Sequence, residues 1–186
     1  LHYTSNNTIY GTQFNSPPLI GKRLIADLSS DICSREIDVE SHDLIFAGAQ
    51  KNLGPSGVTV VILSPWAVEK SRKVDGLRTG GLPSMLSYGI MVDKDSMFNT
   101  PNTFGIFALE RMLAWLEDLG GVKTIAKINK QKAEKIYKAL DSTDFWRPHA
   151  EKDSRSEMNV TWRAPTEELE RMFVAEAAKN SLQGLK

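Results

Sequence analysis

Short apolar runs, each followed by a polar or glycine-rich loop, dominate the chain from residue 24 to residue 63. This alternation of apolar runs and loops is typical of the sheet layer of an α/β fold. It predicts three strands, at residues 23–27, 43–47 and 58–63. The third run, VTVVIL, is rich in β-branched residues and apolar on both faces. We therefore expect it to be a buried central strand.

The pattern changes after the third strand. Ser64 and Pro65 favour the start of a short helix, with Ser64 as its N-cap. Glycine and charge dominate residues 70–89, where we expect irregular structure. From 101 to 119 apolar residues cover almost the whole helical circumference, which predicts a helix buried in a domain or subunit interface. Gly120 and Gly121 are expected to end it.

Residues 122–140 predict an amphipathic helix. Its core-facing positions are Ile125, Ile128, Ile136 and Leu140. Its outward positions, which we interpret as a solvated face, are Lys123, Lys127, Lys130, Lys135 and Lys138. A period-two strand at 158–163 and a helix at 166–180 complete what is predicted to be a smaller α+β domain. The predicted division is therefore between residues 1–119 and residues 120–186.

Composition excludes several classes of protein. The 186 residues include 23 Lys and Arg against 23 Asp and Glu, so the net charge is zero and nothing favours a nucleic acid or an anionic membrane as partner. Cys33 is the only cysteine, and no apolar run approaches the roughly 20 residues of a membrane span. We expect a reducing, cytoplasmic location. The first residue is Leu1 rather than Met, and we expect both ends to be cut from a longer chain.

The segment AGAQKNLGPSG, residues 47–57, places Lys51 in a glycine-rich loop between two apolar strands. A lysine in a tight, partly desolvated loop has its charged form disfavoured, which frees the amine for Schiff-base chemistry. A solvated lysine in a surface hairpin explains the same segment, so both interpretations stay open at this point.

Asp27 closes the strand before that loop. If the two strand ends meet at one edge of the sheet, its carboxylate can keep a pyridine nitrogen protonated, so that a cofactor ring stabilises a carbanion. The alternative is an Asp that caps the following turn by accepting from the backbone amides of Ser29 or Ser30.

The segment FNTPNTF, residues 98–104, contains Thr100 as a predicted N-cap and Pro101 as a predicted first residue of the long apolar helix. The side chains of Asn99 and Thr100, with free helix amides, suit a phosphate group, although most capped helices bind only water. Cys33 is interpreted as a packing residue. The spacing of the three histidines, His2, His42 and His149, predicts no metal site.

The order and character of SNNT (residues 5–8), ADLSSDICSR (residues 26–35), AGAQKNLGPSG and FNTPNTF resemble the phosphoserine aminotransferase family over essentially the whole chain. The related cysteine desulfurases typically have His before the lysine, where this chain has Gln50. The resemblance implies an α/β, pyridoxal-phosphate-dependent transferase fold of the aspartate aminotransferase type, with a large cofactor-binding domain (1–119) and a small C-terminal domain (120–186).

The resemblance also implies a reaction and a set of roles. The reaction is amino transfer from L-glutamate to 3-phosphohydroxypyruvate, giving O-phospho-L-serine, with a vitamin B6 precursor as a second substrate in many bacteria. Lys51 would form the Schiff base with pyridoxal 5'-phosphate and then move the proton between the substrate α-carbon and the cofactor C4′. Asp27 would pair with the pyridine nitrogen, Thr8 would contact the cofactor near its ring, and Gln50 would bind its phosphate. Asn99 and Thr100 would reach the phosphate of the neighbouring subunit's cofactor, which implies a homodimer.

Members of that family carry further segments on both sides of the region that this chain matches. These segments supply a phosphate loop, a ring-stacking aromatic residue and the His and Arg residues that bind substrate. We therefore expect this polypeptide alone to be poorly active or inactive. Two alternatives stay open, a non-catalytic dimerisation or scaffold module of the same fold and a different small-molecule aminotransferase.

Overall fold

The computed structural model describes residues 1–18, 21, 23–77 and 82–185. The strands, in chain order, are β1 (His2–Thr4), β2 (Asn6–Asn7), β3 (Thr12–Gln13), β4 (Ile25–Asp27), β5 (Leu44–Gly48), β6 (Thr59–Leu63), β7 (Arg147–Pro148) and β8 (Trp162–Arg163). The α-helices are α1 (Pro65–Leu77), α2 (Tyr88–Asp93), α3 (Thr103–Asp118), α4 (Gly121–Asp141) and α5 (Glu167–Lys179). Short 3₁₀ turns span Val39–Ser41, Ser84–Leu86 and Lys152–Ser154.

The chain forms two compact units, which divide it differently from the predicted boundary at residue 119. The first unit comprises Leu1–Ser5 and Pro17–Ala126, and the second comprises Asn6–Ser16 and Lys127–Lys186. The boundary thus falls inside α4, and a segment from the start of the chain belongs with the second unit. The assignment of a large and a small domain stays a prediction.

A four-stranded sheet in the order β1-β4-β5-β6 forms the centre of the first unit. β1, β4 and β5 run parallel, and Ala26 pairs with Ile45 while Asp27 pairs with Phe46. Ala26, Ile45 and Ala47 belong to a buried core cluster that also includes Leu53. Because β4 and β5 are parallel, their carboxyl ends lie at one edge of the sheet. The three predicted strands are confirmed.

The third predicted strand, β6, was expected at the buried centre of the sheet, and this expectation is wrong. Among the residues that the structure describes, β6 lies at an edge of the sheet and pairs antiparallel with β5 alone. Its side chains at Thr59 and Ile62 are exposed. A β-branched apolar run predicts extended structure, but its composition does not specify how many neighbouring strands cover it.

The helix that follows β6 begins as predicted but is longer. The Ser64 hydroxyl accepts the Ala67 amide at 3.2 Å, which confirms the N-cap. α1 then continues to Leu77, and α2 occupies Tyr88–Asp93, so much of the predicted irregular stretch is helical. The charged residues within 70–75 are mostly Lys and Arg, which are good helix formers. Residues 78–81 of that stretch lie outside the described residues.

α3 begins later than predicted. Its N-cap is Asn102, whose Oδ1 accepts the Gly105 amide at 3.0 Å, so Thr100 is not the cap and Pro101 is not the first helical residue. Asn is as strong an N-cap as Ser or Thr. The sequence pattern alone therefore could not distinguish Asn102 from Thr100 as the cap.

The predicted burial of this apolar helix is not present in the described chain. Among its residues only Gly105 and Leu116 are buried. Its exposed apolar side chains are Phe104, Ile106, Phe107, Leu113 and Trp115. Whether another surface covers them stays a prediction.

α4 confirms the predicted helix at 122–140 and its solvated lysine face, since all five of the outward lysines are exposed. Ile136, predicted to face the core, is 42% exposed, whereas Leu140 is buried. α5 is confirmed, with the Thr166 hydroxyl accepting the Leu169 amide at 3.3 Å.

Only Trp162–Arg163 of the predicted strand at 158–163 is a strand, and it pairs with β7. The Met158 and Asn159 amides instead donate to the Ser156 hydroxyl. These amides are therefore engaged in a local side-chain turn rather than in a ladder.

None of the helices formed by the described residues has the length and apolar character needed to cross a bilayer.

An ion pair in the second unit gives a stability prediction. The Arg155 guanidinium donates two hydrogen bonds of 2.7 Å to Asp141 and lies 4.5 Å from the centroid of the Tyr137 ring. The bond from Arg155 holds the pKa of Asp141 below its ordinary value. This contribution to stability is therefore present above the unfolded carboxyl pKa of about 4 and is lost as pH falls through the lower folded value.

We expect Asp141→Asn to lower the free energy of unfolding at pH 7 by about 1 kcal/mol, since the half-exposed carboxylate is screened by solvent. In denaturant unfolding, the difference in unfolding free energy between the wild type and Asp141→Asn should become smaller from pH 7 to pH 3. Asp144→Asn, at an exposed position nearby, is the control and should show little change. If this difference in unfolding free energy is independent of pH, the ion pair between Asp141 and Arg155 does not account for it.

Candidate functional site

Asp27 ends β4 with a half-buried carboxylate at the carboxyl edge of the sheet. Its Oδ1 accepts the Ser29 backbone amide at 2.8 Å, so the predicted turn-capping interaction is present. A carboxylate has two oxygens with about four acceptor positions. The capping bond therefore orients Asp27 without excluding a second role for Oδ2.

Ser29 connects this turn to the end of β5. Its hydroxyl accepts the Gly48 amide at 3.1 Å, and the neighbouring Leu28 amide donates to the Phe46 carbonyl at 2.9 Å. The Asp27 turn is therefore fixed against the strand that leads to Lys51. The sequence pattern predicts only a turn around Ser29, and this bridge to β5 is not predicted by it. A short hydroxyl side chain two residues after Asp27 was the available signal.

Lys51 lies in the loop that joins β5 to β6. The loop is closed by a bond from the Ala49 amide to the Val58 carbonyl at 2.9 Å, and the Leu53 and Gly54 amides both donate to the Ala49 carbonyl. Leu53 is the buried residue of this turn, whereas Lys51 is exposed. The predicted partial desolvation of Lys51 is therefore not present in the described chain, because the loop packs inward through Leu53.

Two amide side chains shape the same loop. Gln50 folds back over the end of β5, where a Cβ at Gly48 would lie 2.9 Å from Gln50 Nε2. Gly48 therefore makes room for the Gln50 amide, which can donate hydrogen bonds to an anion. Asn52, which sequence analysis did not single out, donates through Nδ2 to the Ile32 carbonyl at 2.9 Å. It ties the lysine loop to the segment after β4.

The start of α3 packs against the far end of the lysine loop. A Cβ at Gly57 or at Gly105 would lie only 2.7 Å from Asn102 Nδ2. Gly57 also has a φ of +101°, a conformation that favours glycine. Asn99 and Thr100 precede this contact and are exposed, with Asn99 Nδ2 donating to the Thr100 carbonyl at 3.0 Å.

The predicted site residues thus fall into three places. Asp27, Gln50 and Lys51 lie at the carboxyl edge shared by β4 and β5. Asn99 and Thr100 are on the segment before α3 in the same unit. Thr8 belongs to the second unit, where it is exposed in the turn between β2 and β3.

Cys33 has the surroundings of a packing residue. It is half-buried against the core cluster, and burial raises the pKa of its thiol. A raised pKa reduces the thiolate fraction that a nucleophile needs. In the part of the chain that the structure describes, no group of three or more His, Cys, Asp or Glu side chains is arranged to hold a metal ion.

The sequence pattern of the family described as aminotransferase class-V matches residues 1–179. A phosphoserine aminotransferase from Desulfotalea psychrophila is 52% identical over 186 residues, which cover 100% of this chain and 50% of that protein. The chain therefore spans about half the length of the curated relatives it matches.

Solved structures of phosphoserine aminotransferases are also similar to this chain. The phosphoserine aminotransferase from Bacillus circulans subsp. alkalophilus is 45% identical, with a TM-score of 0.91 over 100% of this chain and 50% of that one. A PLP-bound phosphoserine aminotransferase from Trichomonas vaginalis is 33% identical, with a TM-score of 0.90 over 100% of this chain and 51% of that one. The expected pyridoxal-phosphate-dependent transferase fold is confirmed.

We expect Ser29→Ala to lower the free energy of unfolding by about 1 kcal/mol, because the Gly48 amide loses its acceptor. Ser56→Ala, at an exposed position of the lysine loop, is the matched control and should leave the denaturant midpoint unchanged. If Ser29→Ala unfolds at the wild-type midpoint, the bridge between the Asp27 turn and β5 does not contribute to stability.

Proposed function

The chain belongs to the class-V aminotransferase family, and we propose that it supplies part of the active site of a pyridoxal-phosphate-dependent phosphoserine aminotransferase. The observation that carries the proposal is the placement of the Asp27 carboxylate and the Lys51 loop at one edge of the parallel sheet. The proposed reaction transfers the amino group of L-glutamate to 3-phosphohydroxypyruvate and gives O-phospho-L-serine and 2-oxoglutarate. We propose 4-phosphohydroxy-L-threonine, of vitamin B6 synthesis, as a second product.

The residues at this edge fit pyridoxal 5'-phosphate. Asp27 is held by the Ser29 amide through Oδ1, and its Oδ2 can accept the N–H of a pyridine ring. The Gln50 amide folds over Gly48 and offers donors to a phosphate. Lys51 supplies a primary amine on the same loop, and the two glycines at 54 and 57 keep that loop compact.

When bound, the cofactor supplies an electron-poor pyridinium ring that stabilises negative charge on the substrate α-carbon. Asp27 would hold the proton on the ring nitrogen, because the turn orients its carboxylate through the Ser29 amide. Lys51 would bind the cofactor through Nζ, and its free amine would serve as the base that moves a proton from the substrate α-carbon. Gln50 would donate to the phosphate, and Thr8 would contact the cofactor near its ring.

We propose that the active protein is a cytoplasmic homodimer in which Asn99 and Thr100 reach the phosphate bound by the partner subunit. Both side chains are exposed and lie directly before α3. The exposed apolar side chains of α3 support this proposal, since Phe104 and Phe107 are 72% and 59% exposed. Apolar surface of this extent is typical of an interface.

Replacement of the lysine tests the proposal. In the protein expressed from its complete reading frame, we expect Lys51→Arg to reduce glutamate-dependent transamination of 3-phosphohydroxypyruvate by about 10²- to 10⁴-fold, because arginine cannot move the proton. Lys70→Arg, on the exposed face of α1, is the control and should keep full activity. Full activity in Lys51→Arg would refute the catalytic assignment, and inactivity of the wild type would favour a non-catalytic scaffold.

Asp27→Asn separates the two roles of this residue. The Asn side-chain oxygen can still accept the Ser29 amide, so we expect the free energy of unfolding to change by less than about 1 kcal/mol. A neutral amide cannot hold a proton on the ring nitrogen, so transamination should fall at least roughly tenfold, equivalent to about 1.4 kcal/mol of barrier. Wild-type activity with wild-type stability would leave Asp27 with the turn as its only role.

A further inference from the structure

Thr8 is carried by a short hairpin in the second unit. β2 pairs antiparallel with β3, so that Asn6 lies opposite Gln13 and Asn7 opposite Thr12. Asn7 closes the turn, because its Oδ1 accepts the Ile9 and Tyr10 amides at 3.1 Å and its carbonyl accepts the Gly11 amide at 2.9 Å. Thr8 therefore lies at the start of a turn whose backbone is locally fixed.

Ser156, 150 residues later in the chain, holds the base of this hairpin. It is fully buried, and its hydroxyl donates to Asn6 Oδ1 at 2.5 Å while accepting the Met158 and Asn159 amides at 3.0 Å. A serine hydroxyl has one donor and two acceptor positions, and all three are used here. Because both lone pairs are occupied by amides, the hydroxyl hydrogen is directed to Asn6.

The other groups of the network fix the orientation of the Asn6 side chain and of the turn. Asn6 Nδ2 donates to Asn159 Oδ1 at 2.8 Å, which determines which end of the Asn6 amide faces Ser156. The Ser156 amide donates to the Gly11 carbonyl at 2.9 Å, on the opposite side of the turn from Asn6. Ser156 thus contacts the hairpin on both sides of Thr8, through the Asn6 side chain on one side and the Gly11 carbonyl on the other.

A further contact brings the turn close to the strand that follows Ser156. The Thr161 hydroxyl donates to the Tyr10 carbonyl at 2.8 Å. Gly11 has a φ of +66°, and a Cβ there would lie 2.6 Å from Thr161 Oγ1 and 2.8 Å from the Asn159 carbonyl. Only glycine permits this approach. The buried network therefore supports an exposed tip, where Thr8 and Ile9 lie.

We propose that Ser156 is a positioning residue that sets the Thr8 hairpin for cofactor binding. This inference rests on the proposed function, in which Thr8 contacts pyridoxal 5'-phosphate near its ring. Ser156 acts by orienting Asn6 and Gly11, and it does not itself touch the cofactor. A serine that only stabilised the second unit would have an effect on cofactor binding that is independent of Thr8.

A double-mutant cycle distinguishes the two roles. Ser156→Ala, Thr8→Val and the double variant are made in the protein expressed from its complete reading frame. The dissociation constant for pyridoxal 5'-phosphate and the absorption spectrum of the bound cofactor are then measured, together with the unfolding midpoint. We expect each single variant to weaken binding about five- to tenfold and to shift the spectrum. The double variant should bind no more weakly than Thr8→Val alone.

Two further variants keep the test decisive. Ser142→Ala is the matched control, because its exposed hydroxyl bonds only locally to the Ala139 carbonyl, and it should bind like the wild type. Thr161→Val removes the bond to Tyr10 at nearly constant volume, and it replaces Ser156→Ala in the cycle if that variant does not fold.

The outcomes separate this inference from the proposed function. A lower unfolding midpoint with unchanged cofactor binding in Ser156→Ala, or losses that multiply in the double variant, would overturn the positioning role while leaving the enzyme assignment intact. A wild-type protein that binds no pyridoxal 5'-phosphate would overturn the proposed function and this inference with it.

Discussion

The parallel pairing of β4 with β5 is the constraint on which the candidate site depends. It places the end of the Asp27 strand and the start of the Lys51 loop at one edge of the sheet, although Lys51 follows Asp27 by 24 positions in the chain. The Ser29 side chain then bonds the turn after β4 to Gly48, so the carboxylate is oriented relative to the loop by hydrogen bonds rather than by strand pairing alone. A small change of register between these strands would move the acid and the amine apart.

The second unit adds a different kind of constraint. The buried residues Asn6, Gln13 and Ser156 join a hairpin from the start of the chain to the segment around Ser156, and the Ser156 hydroxyl makes three hydrogen bonds. Buried networks of this kind are costly if any member is left without a partner, so they fix one arrangement of the backbone. The structure therefore places a fully hydrogen-bonded, buried serine beneath an exposed turn.

Local patterns predicted most of the fold. The apolar runs, the Ser64 and Thr166 caps and the amphipathic α4 follow from side-chain chemistry within a few residues, and the structure confirms them. The errors concern nonlocal information. The edge position of β6 depends on which strands are its neighbours, and the cap of α3 depends on how Asn102 packs against Gly57. Ser29 and Ser156 were missed as connecting residues because their partners are 19 and 150 residues away.

The central claim is that Lys51 is the amine that binds pyridoxal 5'-phosphate, and chemical trapping tests it most directly. The protein expressed from its complete reading frame is mixed with the cofactor, reduced with borohydride and digested, and the modified lysine is located by mass spectrometry. The account predicts one dominant adduct, on Lys51. Labelling spread over the exposed lysines of α4, such as Lys123 and Lys127, with no preference for Lys51 would contradict it.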